Sequence, residues 1–156
     1  MAEAAGVAPT TLYRLFASKH DLVGAYVERA SSLYRVWFTE TLEAGGPEPR
    51  DRLLAFFDAL IDQVQPERCR GCPFQMALAE TPDPGQPAYA HAVDIKAWML
   101  GQLEALTRAL RVENPATLAA QLLVLIEGVY ASAQSLGADG PARATRALVE
   151  TLLPAR

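Results

Sequence analysis

Proline stands at the start of the apolar stretches of this chain and not inside them. Pro9, Pro49, Pro73, Pro115 and Pro141 each precede a run in which large apolar residues recur three and four apart. Inside a helix proline removes a backbone donor and clashes with the preceding turn, whereas at the first helical position its missing N–H costs nothing and its fixed φ suits the turn. With no sustained alternation of β-branched residues, this punctuation predicts an all-α chain. The expected helices run from Pro9 to about Phe16, Lys19 to about Ala44, Pro49 to about Gln65, a start at Pro73, about Ala88 to Val112, Pro115 to Leu136, and Pro141 to just before Pro154. Pro66 is expected to stop the third of these, and Gly45-Gly46-Pro47, the segment 81–87 and Asp139-Gly140-Pro141 read as loops.

The first 22 residues pack the most specific pattern. Gly6 ends a short helix carrying Glu3, Ala4 and Ala5, since glycine enters the left-handed turn without steric cost, and Val7 plugs the angle to the next helix. On that next helix Leu12, Leu15 and Phe16 share a face and are expected to be buried, which leaves Thr10, Thr11, Tyr13 and Arg14 pointing outward. Threonines at a helix N-terminus suit base edges in a major groove, while Tyr and Arg reach flanking phosphates. Ser18 caps the following helix with Asp21 three residues on. Lys19 lies in the first turn, against the helix dipole, and a phosphate held at that N-terminus accounts for its place.

The stretch Ala2-Glu3-Ala4-Ala5-Gly6-Val7, with Thr11-Leu12-Tyr13, Phe16, Lys19 and Leu22 at their spacing, resembles the signature of the tetracycline-repressor (TetR) family of transcription regulators. The resemblance implies that Thr10 and Thr11 face bases of double-stranded DNA and that Tyr13, Arg14 and Lys19 hold phosphates. It also implies a partial helix-turn-helix head over 1–22 and a ligand-binding and dimerisation body over 23–156. The family places a further helix before this signature, and Met1 falls inside the second, so the head is incomplete as given.

Charge distribution agrees with a specific reader rather than a protein that coats nucleic acid. The net charge is −4; residues 1–35 carry four basic against three acidic residues, and the rest ten against fifteen. No stretch reads as a membrane span or a signal peptide, so the expected location is the cytoplasm, with no membrane partner.

Along the second helix, Leu22, Tyr26, Ala30, Leu33 and Trp37 make one apolar stripe, widened by Val23, Val27, Tyr34 and Phe38. Such a helix joins head to body and is the natural lever between them. Large, adaptable side chains nominate a ligand pocket from Tyr34, Phe56, Phe57, Met76, Trp98 and Met99, with ordinary core packing as the competing reading for each. The two C-terminal helices are too apolar for one small domain to cover. Leu118, Leu122, Leu125, Val129, Leu148 and Leu152 are the expected dimer contacts, and Gly128, Ala131 and Ala133 allow close approach. By the resemblance these helices are half of a four-helix interface in a homodimer, whose two heads would meet a palindromic operator.

Cys69 and Cys72 form a C-x-x-C. A metal site is not expected, because zinc needs two further ligands and His20 and His91 have no paired spacing. A redox role has Arg68, Arg70 and a helix start in its favour. The resemblance instead makes Gly71-Cys72 a packed turn opening a helix. No cofactor is implied. There is no triad, phosphate loop or paired carboxylate to make an enzyme, and Glu127, the one candidate acid, reads as a polar anchor. The sequence therefore points to a ligand-responsive transcription regulator, a repressor released by a small-molecule effector. The alternatives are a helical ligand-binding and dimerisation module without DNA binding, or a thiol-based redox-sensing regulator.

Overall fold

The computed structural model describes Gly6 and residues 8–65 and 70–155. Expectations placed on Glu3, Ala4, Ala5, Val7, Pro66, Arg68 and Cys69, and on the side chain of Leu12, lie outside the described residues. All regular structure among the described residues is helical. The order is α1 (Pro9–Leu15), α2 (Lys19–Ala44), α3 (Pro49–Gln63), α4 (Pro73–Glu80), α5 (Pro87–Ala109), α6 (Pro115–Leu136), a 3-10 turn (Pro141–Ala144) and α7 (Thr145–Leu152).

Helix starts follow the prolines. α3, α4, α5, α6 and the 3-10 turn all carry proline in their first turn. α2 begins at Ser18, whose hydroxyl accepts from the Asp21 backbone N–H (3.1 Å) and donates to the Asp21 carboxylate (2.8 Å). Both groups of the cap are thereby satisfied. Asn114 makes no side-chain cap at α6. The Thr107 hydroxyl of α5 fastens that corner instead, donating to the Pro115 carbonyl (2.8 Å).

α2 packs most extensively on α5, and α5 in turn on α6, with α3 and α4 flanking. The core between them holds Phe38, Phe56, Phe57, Leu60, Ile95, Met99, Leu103, Leu122 and Ile126, all essentially without exposure. Phe38 packs tilted against Phe56 at 4.6 Å and meets Trp98 edge-on at 5.2 Å, while Arg35 lies 4.6 Å over the Trp98 ring. α1 has no extensive contact with the body. Among the described residues its link to the body is the Ala17–Ser18 junction with α2.

Two expectations for the C-terminal helices are corrected. The last helix does not start at Pro141: Gly140 and Pro141 make a tight 3-10 turn that buries Ala142, and regular α-helix begins only at Thr145. Leu118, Leu122 and Val129 face inward and are buried in the chain's own core, so they are not surface contacts. Leu125 and Leu152 are half-buried, and Leu148 is exposed. The outward stripe of α6 is offset by two residues, through Ala120, Val124, Gly128 and Ala131, with Leu148 of α7 beside it. Val124 is 68% exposed.

α6 is also, by length and composition, apolar enough to cross a membrane, with a mean hydropathy of 1.5 over its best window, contrary to the expectation that no stretch qualifies. Core helices of globular bundles meet the same criterion. Here one face of α6 is spent on α5 and the core, and the other is the small-residue stripe.

Candidate functional site

Two features are joined by α2. At its N-terminal end α1 presents Thr10, Tyr13 and Arg14 to solvent, with Thr11 half-exposed; Tyr13 is 83% exposed. Lys19, at the start of α2, is exposed on the same segment. Gly6, ahead of α1, has φ +64°, the left-handed turn that glycine allows. Leu15 departs from its expected burial, being 66% exposed, and Phe16 is half-buried. No described element packs extensively against that side of α1.

Further along α2 lies a cavity of about 930 Å³ between α2 and α4, closed at its sides by Gln63 of α3 and Tyr130 of α6. α2 supplies one wall from Leu22 to Trp37, and α4 supplies the other through Pro73, Phe74, Met76 and Ala77. Aromatic rings dominate it. Tyr34 lies 5.3 Å from Trp37 and meets Phe74 edge-on at 5.7 Å. Such a size and lining suit a drug-sized apolar molecule. Among the described residues its charged lining groups are Arg70 and Glu80, both exposed at the rim.

A polar cluster lies behind this wall. The Tyr130 hydroxyl donates to Gln63 Oε1 (3.1 Å). Lys96 of α5 is ion-paired with Glu127 of α6, donates to the Cys72 sulfur (3.3 Å) and stands over the Phe74 ring. Glu127 thus anchors a lysine, and its second oxygen, Oε2, is buried with no hydrogen-bond partner. The Tyr34 hydroxyl is likewise buried without a hydrogen bond of regular geometry. Burial first, then the nearby Tyr130 hydroxyl, Cys72 and Glu127, hold the Tyr34 phenol well above its ordinary pKa, so it keeps its proton.

Of the six residues nominated for a pocket, Tyr34 and Met76 line the cavity. Phe56, Phe57 and Met99 do not: they are fully buried core. Trp98 is tied into the Phe38 and Arg35 seam and also misses the cavity. Size and softness alone do not distinguish core from lining, because both need the same side chains. Tyr26, Trp37, Phe74, Gln63 and Tyr130, which do line it, were not nominated. The signal for the first two was the aromatic enrichment of the α2 stripe at 26, 34 and 37. Cys72 is buried at 3% exposure at the start of α4, where Gly71 takes φ +111°. That is a packed turn. No group of His, Cys, Asp and Glu among the described residues is arranged to hold a metal ion.

No protein-family model matches the chain. It is 28% identical over 117 residues to the HTH-type transcriptional regulator YjdC of Escherichia coli and to its counterpart in Shigella flexneri, covering 75% of this chain and 61% of theirs. The chain thus spans about three fifths of the curated relatives it matches. Its fold superposes on SCO4454, a TetR-family transcriptional regulator of Streptomyces coelicolor, with a TM-score of 0.88 and 25% identity over 97% of this chain and 79% of that one. A TetR-type regulator of Streptomyces avermitilis gives 0.78 and 27% over 97% and 81%. The reduced form of E. coli NemR, at 23% identity, shares the fold with a TM-score of 0.85 over 99% and 84%. In fold the chain is similar to TetR-family transcriptional regulators, and in sequence to an HTH-type transcriptional regulator.

Proposed function

We propose that the chain is the effector-binding body and part of the DNA-reading head of a transcription regulator, acting in the cytoplasm as a homodimer and releasing its operator when a small molecule occupies the α2–α4 cavity. The observation that carries this reading is the continuity of α2. One helix, Lys19–Ala44, begins at the junction with α1 and supplies a whole wall of the cavity. A ligand that shifts this wall also tilts α1, since α1 is held to the body by little else. The similar proteins are regulators, which supports this reading.

In this role Thr10 and Thr11 read bases, and Tyr13, Arg14 and Lys19 hold phosphates. Repression follows from spacing: effector binding favours a conformer whose two heads no longer fit a palindrome. A coupling of about 2 kcal/mol changes DNA affinity roughly thirtyfold. The test is fluorescence-anisotropy titration of the complete gene product against DNA flanking its own gene, at two salt concentrations. Preferential binding of a palindrome is expected. Lys19→Ala should weaken binding to all sequences and lower the salt slope by about one, whereas Thr10→Ala should relax discrimination at one base position. Binding no tighter than to random DNA would leave the ligand-binding module without DNA binding as the better account.

A further inference from the structure

The α2–α4 cavity is a trough with a length and a direction. Tyr34 meets Phe74 near the start of α4, and Gly24, earlier on α2, meets Pro87 past the end of α4, so the two helices line the trough running antiparallel. Along α2 the lining extends from Leu22 to Trp37, about 22 Å at the helical rise, and a volume of about 930 Å³ over that length leaves a mean cross-section of about 40 Å². The floor is buried and apolar, through Val27, Tyr34, Phe74 and Ala77. The lips are apolar but open: Tyr26, Leu33 and Met76 are 62%, 54% and 40% exposed. Large side chains left in water along one groove mark a surface that gains by being covered. Tyr26 and Leu33 stand about 10 Å apart along α2, so a compact molecule covers one of them and a molecule lying lengthwise covers both. The ends differ in charge. Arg70 stands just before α4, at the Tyr34 end, and Glu80 closes α4 at the Tyr26 end, both exposed. An anionic head is drawn to the first and repelled by the second, and at an exposed rim it keeps much of its water and avoids the cost of burying a charge. The guanidinium fork also matches a carboxylate with two parallel hydrogen bonds.

Resting on the reading of this cavity as the effector site, we propose that its ligand is an extended single-chain amphiphile with an anionic head, a long-chain carboxylate, whose tail lies along the trough between Tyr26, Leu33 and Met76 and whose head pairs with Arg70. Selection is then by length and shape: each added methylene covers more of the lips, and a bulky body of the same carbon count cannot follow the trough.

Isothermal titration calorimetry of the wild-type chain with octanoate, decanoate and laurate, below micellar concentrations, should show affinity rising at least about threefold for each two added carbons, less than full burial gives because the trough is open on one side. Adamantane-1-carboxylate, with the same head and nearly the carbon count of laurate in a compact body, should bind about tenfold more weakly than laurate. Arg70→Gln should weaken all the carboxylates alike by about threefold, the modest loss expected of an exposed pair. Ala30 lies about 10 Å from Trp37 along α2, so Ala30→Phe obstructs the trough midway and should flatten the series beyond octanoate. Helical circular dichroism checks the fold of both variants. Adamantane-1-carboxylate binding as tightly as laurate, dodecyltrimethylammonium binding tighter than laurate, or a series indifferent to Ala30→Phe overturns the ligand class, as does failure of every probe to bind a natively helical chain. Laurate that binds as expected but leaves the operator complex of the complete gene product intact keeps the ligand class and overturns the effector reading.

Discussion

Lys96 carries its charge into the seam between α5 and α6, where Glu127, the Cys72 sulfur and the face of Phe74 surround it. Its side chain and that of Glu127 are 17% and 24% exposed, so water screens the pair only in part. Removing one partner leaves the other charge without compensation, which is more damaging than removing both. Lys96→Met should therefore lower unfolding stability by about 2 kcal/mol, less than for a fully buried pair, and Lys96→Met with Glu127→Leu should regain most of it. Urea denaturation of the two singles and the double checks this, and additive losses would show that the pair has no special coupling. Glu127 was legible in the sequence as a lone acid on an apolar helix. Its partner was not, because Lys96 lies 31 residues away and only the α5–α6 packing brings the two together. Tyr34 shows the same limit: its place on the second helix's apolar stripe could be read, but its neighbours Cys72, Phe74, Glu127 and Tyr130 are brought to it only by tertiary packing.

Helices whose ends are chemically marked were legible almost to the residue. Lys19–Ala44 lies between a Ser18 cap and Gly45-Gly46-Pro47, and Pro115–Leu136 between Asn114-Pro115 and Gly137. Where the marks allow two geometries, as at Gly140-Pro141, the choice of a 3-10 turn follows from tertiary packing that buries Ala142. Faces are harder to read than ends. α6 is apolar nearly all round, so periodicity did not say which stripe turns inward, and the core took Leu118, Leu122 and Val129. Contact between elements also explains a glycine in α2 that periodicity leaves without a role. A Cβ on Gly24 would stand 2.7 Å from the Cβ of Pro87, where α5 begins, so the two helices meet there backbone to ring. Gly101, on α5, has open space around it. Gly101→Ala should therefore stabilise the chain by up to about 1 kcal/mol through helix propensity. Gly24→Ala gains the same propensity but must separate α2 from Pro87, an overpacking cost of about 1–3 kcal/mol, and should be neutral to destabilising. Thermal unfolding of both distinguishes them; equal stabilisation would mean that the α2–α5 crossing yields freely.

On the proposed function, one short helix of this chain becomes half of an operator reader. A single short helix with a handful of DNA-facing groups gives little specificity, and a two-fold pair reads two half-sites about 34–36 Å apart. The surface suited to such pairing is the outward stripe of α6, Ala120, Val124, Gly128 and Ala131, flanked by Leu148. No described atom lies within 4 Å of a Cβ placed on Gly128, so a second helix can approach closely there. Because these side chains contribute nothing to the chain's own core, they can be changed without unfolding it. Val124→Glu with Ala131→Glu places four carboxylates at a two-fold contact, and like charges there oppose association strongly. The wild-type chain is expected to sediment as a dimer at micromolar concentration, and the double variant as a monomer with unchanged helical circular dichroism. A double variant that remains dimeric would move the interface to another face. A wild-type chain that is monomeric throughout would remove the two-headed geometry on which operator spacing depends.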